Sequence, residues 1–310
     1  MKGFGIRLWL AVFCAALSGC SIQHFVTNKA GDALSGQSTV VARDDDPDFV
    51  RAATPFSLKL IESLLEKSPE HAGMLLTAAS GFTQYSYAFI QFDAEQLEDQ
   101  DFTRSQELRA RARRMYIRAR NYGLRGLDLA HPGLSSQLRG DAGAALQVAT
   151  AADVGFLYWT GAAWVAAISQ AKDDPDLIGD LPIVDALILR AAQIEPEYGR
   201  GALRSLQISY EMARASRPEV ARDHFAHAVN DSGGRLAGPY VSLAESVCVP
   251  QRAPAEFKSL LNQALAINVD ADPDSRLENM IMQRRARWLL SRIDELFLPA
   301  ADDNPEQVQP

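Results

Sequence analysis

The chain has 310 residues, with 39 acidic and 31 basic side chains and a formal net charge of −8. This balance excludes nucleic acid as a partner held by charge, because phosphate backbones are bound by clustered Lys and Arg. Three cysteines are too few for a disulfide framework, so a large apolar core must supply the stability.

The first twenty residues have the pattern of an export signal. Lys2 and Arg7 flank the start of an apolar stretch over 8–17, which is too short to span a bilayer. Small residues then lead to Cys20 in a sequence, LSGC, that resembles the bacterial lipobox. We predict a signal peptide over 1–19, cleavage before Cys20, and lipid with chains such as palmitate on that cysteine. The alternative is an ordinary secreted protein in which Cys20 is incidental.

Several acyl chains on one cysteine would anchor the protein stably, whereas a single chain gives only marginal binding. Residue 21 is Ser rather than Asp. By resemblance to the sorting of lipoproteins in Gram-negative bacteria, this residue predicts the periplasmic face of the outer membrane. Residues 20–43 are polar and lack apolar periodicity, so we predict the lipidated cysteine followed by a flexible tether.

From residue 44 onward the sequence predicts helices. Asp44, Asp45 and Asp46 precede Pro47, which is typical of a helix start, and a helix is expected to Ser68-Pro69. Proline and glycine breaks then separate apolar three- and four-residue repeats. The further predicted helices cover 70–98, 102–130, 135–151, 153–171, 176–194, 198–215, 218–230, 238–248, 254–267 and 274–297.

These helices define the predicted organisation. The fold class is all-α, and the helical domain covers 44–299, followed by a disordered acidic tail over 300–310. Small and aromatic residues recur in successive helix pairs, as with Ala221 and Phe225, or Ala244 and Phe257. This spacing resembles a tetratricopeptide layout without its tryptophan and Leu-Gly pair. We therefore expect an array of helical hairpins in a tetratricopeptide-like superhelix with a concave binding surface.

An aromatic stretch over 82–89 is the first candidate for a binding site. Phe82, Tyr85 and Phe89 fall within about 60° on one face of a regular helix, while Tyr87 points elsewhere. Such a stripe can be plain core. It can also form a hydrophobic cleft in which the polar groups of Gln84, Tyr85 and Tyr87 would bind the polar part of an amphipathic ligand.

A second stretch, 154–168, carries no charge and is apolar on every side. It is shorter than the roughly 20 residues that cross a bilayer, so we interpret it as a central buried helix. Trp159 and Trp164 are about 140° apart, so at least one belongs to the core rather than to a pocket.

The remaining charged residues predict surface rather than chemistry. His224 and His227 lack a further ligand at metal-site spacing, and no catalytic motif is present, so we predict neither enzyme activity nor a cofactor. The helix over 102–130 is rich in arginine. We interpret this as a solvated face paired with acids, with a docking strip for an acidic partner as the alternative. These arginines are Arg104, Arg109, Arg111, Arg113, Arg114, Arg118, Arg120 and Arg125.

Several blocks, in this order, are similar to the T-component lipoproteins of TRAP transporters. They are 44–47 (DDDP) leading to Pro55-Phe56, 81–89 (GFTQYSYAF), 118–127 (RARNYGLRGL), 158–164 (YWTGAAW), 238–245 (GPYVSLAE) and 285–290 (RARWLL). The resemblance implies a tetratricopeptide-like homotrimer that associates with the periplasmic solute-binding protein of the transporter. It also implies a cleft for a hydrophobic small molecule, which we assign to Phe82, Gln84, Tyr85, Tyr87, Tyr158 and Trp159.

Two functions follow as hypotheses. The first is an accessory component of a TRAP transporter that binds the solute-binding protein and a hydrophobic ligand. The alternative is a helical-repeat adaptor in envelope or outer-membrane assembly, which needs a protein-binding face but no ligand cavity.

Overall fold

The computed structural model describes residues 38–171 and 173–297. No strand occurs in these ranges, and the all-α prediction is confirmed. They group into two compact units, 38–41 with 48–187 and 42–47 with 188–297. The predicted signal peptide, Cys20 and the predicted tail lie outside the described residues, as does the predicted tether up to residue 37. The single domain over 44–299 and its superhelical form stay predictions.

The helices up to residue 180 form most of the first unit. A π-helical segment, Ser86–Gln91, joins α3 to α4, and 3-10 turns over Leu146–Val148 and Ala151–Asp153 precede α7. The helices are α1 (Ser38–Ala42), α2 (Pro47–Lys67), α3 (Ala72–Tyr85), α4 (Phe92–Leu97), α5 (Phe102–Ala130), α6 (Leu134–Ala145), α7 (Val154–Ser169) and α8 (Pro175–Gly179).

Helix α5 has the bounds that its sequence predicts. The Asp101 side chain caps its start by accepting a hydrogen bond from the backbone N–H of Arg104 at 2.9 Å. The helix ends where His131 precedes Pro132, and Gly133 follows with a φ of 80°. Local signals alone therefore determine both ends of this long helix.

Helix α7 is the central buried helix that its uncharged sequence predicts. Leu157, Ala163 and Ala167 have no exposed surface, and Trp164 is 3% exposed. Asp153 starts the helix, because its carboxylate accepts hydrogen bonds from the backbone N–H of Thr150 at 2.8 Å and from the Thr150 hydroxyl at 3.0 Å. The stretch Ala151–Ser169 could cross a membrane by length and composition, but 67% of its most apolar window is buried inside the protein.

Helices α5 and α7 approach closely because two glycines of α5 lack a side chain. A Cβ atom at Gly123 would collide with the side chain of Thr160, and one at Gly126 would collide with the ring of Phe156. Helix α3 packs against both α5 and α7. These three helices therefore form the centre of the first unit at a fixed register.

The second unit is built from shorter helices that follow α9 (Leu181–Ile194), in which the boundary between the two units falls. A π-helical segment, Ala244–Cys248, extends α12, and 3-10 turns cover Tyr198–Gly201, Val269–Ala271 and Pro273–Ser275. The helices are α10 (Ala202–Ala215), α11 (Pro218–Asp231), α12 (Gly238–Leu243), α13 (Pro254–Ala266), α14 (Arg276–Ser291) and α15 (Ile293–Leu296).

The core of the second unit uses the small and aromatic residues that the repeat pattern singles out. Ala221, Ala244 and Phe257 are fully buried in one cluster. Phe225 packs edge-on against Tyr240, with ring centroids 5.3 Å apart. Cys248 is a free cysteine in this cluster with no exposed surface, and burial raises the pKa of its thiol to about 12.

The structure differs from the predicted helices at several places. The helix predicted over 198–215 begins at Ala202, and the helix predicted over 274–297 is interrupted at Arg292. Both π-helical segments were predicted as regular α-helix. The helix predicted over 135–151 ends at Ala145 and kinks at Asp141, whose side chain accepts a hydrogen bond from the N–H of Ala144. The helix predicted over 176–194 is interrupted at Asp180. At these places the backbone hydrogen-bond pattern or the backbone dihedral angles depart from those of a regular α-helix.

Candidate functional site

The candidate site begins on α3 and the π-helical segment that follows it. Hydroxyl groups bond back to the helix here: Thr83 donates to the carbonyl of Ala79 and Ser86 to that of Phe82, both at 2.7 Å. Such bonds compete with the regular backbone pattern. A π-helical turn holds one more residue than an α-helical turn, so side chains beyond Tyr85 depart from the positions expected for a regular helix. Such turns are frequent at functional sites.

The four predicted residues of this stretch separate by exposure. Phe82 is 3% exposed, and Tyr85 is half-buried with its ring 5.5 Å from that of Phe89. Gln84 and Tyr87 are exposed. Phe82 and Tyr85 therefore contribute to the packed side of the helix, while Gln84 and Tyr87 face outward.

Two further predicted residues lie on α7. Tyr158 is buried and Trp159 is half-buried, and their rings meet edge-on with centroids 4.8 Å apart. Trp164 lies in the core beneath the guanidinium of Arg120, 4.7 Å from its ring centroid. The sequence predicts that at least one of the two tryptophans belongs to the core, and Trp164, which is 3% exposed, does so.

Contacts across the three central helices place several of these rings at one level. Phe82 stacks on Tyr122 of α5, with ring centroids 6.0 Å apart and planes 9° apart. Gly123 follows Tyr122 and packs against Thr160, which itself follows Tyr158 and Trp159. We call Phe82, Tyr122, Tyr158 and Trp159 the aromatic belt. Tyr85 lies one turn further along α3.

Sequence reasoning missed Tyr122 and its polar partners as part of this region. The Tyr122 hydroxyl donates to the carboxylate of Glu62 on α2 at 2.9 Å. The same carboxylate accepts a hydrogen bond from the Lys59 ammonium at 2.6 Å and lies 3.5 Å from the guanidinium of Arg118. The guanidinium of Arg118 also stands over the Phe82 ring, 5.3 Å from its centroid. The available signal was an aromatic residue in an arginine-rich helix that also carries Phe102 and Tyr116.

These contacts shift two acid–base equilibria. Burial and the hydrogen bond to Glu62 raise the pKa of the Tyr122 phenol to about 12. Burial also raises the pKa of Glu62, but hydrogen bonds from Lys59 and Tyr122, with the charge of Arg118, outweigh it and hold that pKa below its usual value. At neutral pH the neutral phenol of Tyr122 therefore donates its hydrogen bond to the charged carboxylate of Glu62.

A separate open cleft of about 520 Å³ lies beside α6 in the first unit. The guanidinium of Arg139 reaches Asp180 there at 3.3 Å. No predicted site residue lines this cleft. Its lining consists of Leu138, Arg139, Gly140, Asp141, Ala142, Gly143, Gly179, Asp180, Pro182 and Ile183.

The two histidines of α11 lie in different surroundings. His224 is half-buried 3.5 Å from the guanidinium of Arg204, and burial together with that charge lowers its pKa. His227 is exposed and lies 3.6 Å from Asp223. Among the described residues, no group of three or more His, Cys, Asp or Glu side chains is arranged to hold a metal ion.

The arginines of α5 are in part paired, as their interpretation as a surface face predicts. Arg104 pairs with Glu107 at 2.7 Å and Arg109 with Glu98 at 2.8 Å. Arg125 donates to the carbonyl of Pro69 at 3.1 Å. Within 38–171 and 173–297, no ion pair involves Arg111 or Arg114, and both are exposed.

The described residues form an all-helical scaffold, and comparison with known proteins gives its class. A family model described as TRAP transporter T-component matches residues 43–297. The chain belongs to this family, which provides accessory components of TRAP transporters and is not an enzyme family. It is also similar to an uncharacterized protein of Treponema pallidum (strain Nichols), with 28% identity over 322 positions that cover 96% of this chain and 100% of the relative.

Proposed function

We propose that this chain is a lipid-anchored periplasmic component that binds the solute-binding protein of a TRAP transporter and holds a hydrophobic small molecule. Membership in the T-component family supports the transport role. The aromatic belt supports the ligand, because it combines apolar rings with the phenols of Tyr122 and Tyr158 and the indole of Trp159, which carry polar tips.

The ligand site of this proposal lies between α3, α5 and α7. Phe82, Tyr158 and Trp159 would contact the apolar part of the ligand, and Tyr85 would extend the site by one turn. Gln84 and Tyr87 would contribute from the exposed side. Tyr122 is added to the predicted set, since its ring stacks on Phe82 and its hydroxyl is held by Glu62.

The anchor and the assembly are proposals of the same kind. Cys20 would carry the lipid and hold the protein at the periplasmic face of the outer membrane. The folded part would assemble as a homotrimer, as the family resemblance implies. A transporter that hands ligand between soluble and anchored components requires no chemical step from this chain.

Native mass spectrometry of the full chain in detergent, alone and with the solute-binding protein of the same transporter, tests the proposal. We expect acyl mass on Cys20, a trimer, a stoichiometric complex and a co-purifying lipid-like ligand. Trp159→Ala should reduce ligand occupancy, whereas Phe102→Ala, an exposed aromatic residue outside the belt, should not. A monomer that carries nothing and ignores the partner would contradict the proposal and favour an envelope adaptor.

A further inference from the structure

Helix α2 has apolar side chains on two different faces. Its inner face is buried through Val50, Leu58, Ile61 and Leu65. Its outer face carries Phe49, which is 65% exposed, Phe56, which is 74% exposed, and Leu60, which is 38% exposed. Spacings of seven and four residues put these three within about 40° of one another around the helix. We call Phe49, Phe56 and Leu60 the α2 ridge.

A ridge of this kind is unusual for a surface helix, which normally turns polar residues to water. Single exposed apolar residues are common, but aligned exposed phenylalanines mark interaction sites. The small residues Ala52 and Ala53 are exposed between them, so the ridge is not screened by long side chains.

A basic strip lies on α5, the helix that meets α2 where Arg118 pairs with Glu62. Arg111, Arg114 and Arg118 follow at three- and four-residue steps along α5 and fall within about 60° on one face. The side chain of Arg118 is 42% exposed, and Arg111 and Arg114 are exposed without an ion pair among the described residues. On a chain with a net charge of −8, this strip is a locally positive area.

Glu62 connects the strip to the ridge. Its carboxylate, 15% exposed, contacts both Arg118 of α5 and Lys59 of α2, and Lys59 precedes Leu60 of the ridge. The side chain of Lys59 is 68% exposed. Around α2, Lys59 lies about 60–100° from the ridge residues, and Glu62 lies about 60° beyond Lys59. The strip therefore meets α2 on the flank next to the ridge, where one largely covered carboxylate lies between exposed cations.

We propose that the α2 ridge and the basic strip form one docking surface for a protein whose facing side is apolar at its centre and acidic at its edge. Phenylalanine and arginine are residues that protein interfaces favour, and a planar guanidinium can bind a carboxylate through two hydrogen bonds. The acidic edge follows from charge complementarity with Arg111, Arg114, Arg118 and Lys59.

A two-fold contact of this surface with itself in a second copy would bring like charges together, which opposes it. A contact with a different face of a second copy is tested by the oligomeric state of Phe56→Ala. An anionic lipid surface would attract the arginines, but it would not distinguish Phe56 from another exposed aromatic residue. Phe102 provides this comparison, because it is 63% exposed and lies about 160° around α5 from Arg118.

The partner to test is the solute-binding protein of the proposed function, so the assignment rests on that function. Binding would be measured by calorimetry with the full chain in detergent, at low and at physiological salt. Phe56→Ala and the double variant Arg111→Glu/Arg114→Glu should each weaken binding about tenfold or more. The double variant should also lose most of the salt dependence of the wild type, since it removes the charges that salt screens.

The matched controls are Phe102→Ala and Arg287→Glu, an exposed arginine of α14 without an ion pair among the described residues. Both should bind within about twofold of wild type. If the wild type binds the solute-binding protein and the ridge and strip variants bind it with the same affinity, the docking surface is overturned and the proposed function remains intact. No binding by the wild type would overturn both. Two further outcomes would overturn the docking surface. One is that Phe56→Ala no longer forms the trimer. The other is that the protein binds anionic vesicles and that Phe56→Ala and Phe102→Ala weaken this binding equally.

Discussion

Each unit contains a π-helical segment, and the two segments lie in different surroundings. In the first, Ser86–Gln91, Tyr87 is 36% exposed and the adjacent Tyr85 is half-buried. In the second, Ala244–Cys248, three of five residues have no exposed surface. The same backbone irregularity therefore borders an accessible aromatic region in one unit and serves core packing in the other. Accessible aromatic side chains with polar tips, rather than the π-helical turn, distinguish the candidate site.

Truncation of a buried side chain in the core of the second unit should have the largest effect on the free energy of unfolding. Phe257 is fully buried and packs edge-on against Phe297, with ring centroids 5.1 Å apart. Phe257→Ala should lower the free energy of unfolding by about 3–5 kcal/mol, because it removes apolar contacts and leaves a cavity. Tyr87→Ala should change it by about 0.5 kcal/mol or less. Chemical denaturation measures both values. Equal losses would contradict the contrast between the core that surrounds the second segment and the exposed side of the first segment.

The ion pairs beside the two segments offer a second comparison. Arg285 binds Glu245 through two hydrogen bonds of 2.7 Å, and its side chain is only 10% exposed. Arg51, which pairs with Asp93 after the first segment, has a side chain that is 42% exposed. Glu245→Ala should cost about 2–3 kcal/mol, since a buried guanidinium loses the carboxylate that balances its charge. Asp93→Ala should cost about 1 kcal/mol or less, and a reversed order in thermal unfolding would refute this account.

The belt phenol gives a smaller effect with a spectroscopic signature. Tyr122→Phe removes the hydrogen bond to Glu62 and should lower the free energy of unfolding by about 1 kcal/mol at neutral pH. The folded phenol has a pKa of about 12 against a usual 10.0, so this contribution is present below pH 10 and is lost as pH rises from 10 to 12. The ultraviolet difference between wild type and variant should titrate near pH 12. A phenolate that forms near pH 10 would show that the contact is absent.

The smallest expected effect concerns acid stability. The folded pKa of Glu62 lies below its usual value of 4.5, so its contribution is present above that pH and is lost as pH falls through the folded pKa. Glu62→Gln should therefore flatten the dependence of unfolding free energy on pH below about 4.5. Glu66→Gln, one turn away on α2 with an exposed side chain, is the control and should leave the slope as in wild type.

The sequence predicts the helices well because their ends are local. Asp101 and the His131-Pro132-Gly133 stretch define α5 without reference to any other part of the chain. The apolar sequence of α7 likewise predicts a buried helix, since no face of it could meet water favourably. The π-helical segments escape such reasoning, because the choice between the two hydrogen-bond patterns depends on packing from other helices.

The candidate site is less predictable for the same reason. Phe82 and Trp159 can be selected as aromatic residues in apolar stretches, but the level at which they lie depends on contacts made by Gly123. Tyr122 sits in an arginine-rich helix, so its stacking on Phe82 and its bond to Glu62 arise only between helices. Sequence periodicity assigns faces within one helix and says little about the register between two.

The burial of Cys248 bears on the proposed periplasmic location. A thiol must be deprotonated and reachable to attack a disulfide, and this thiol has a pKa of about 12 and no exposed surface. The folded protein can therefore reside in an oxidising compartment with Cys248 still reduced. Mixed disulfides with glutathione or with oxidoreductases are expected only on unfolded molecules, so thiol labelling would report the unfolded fraction during biogenesis.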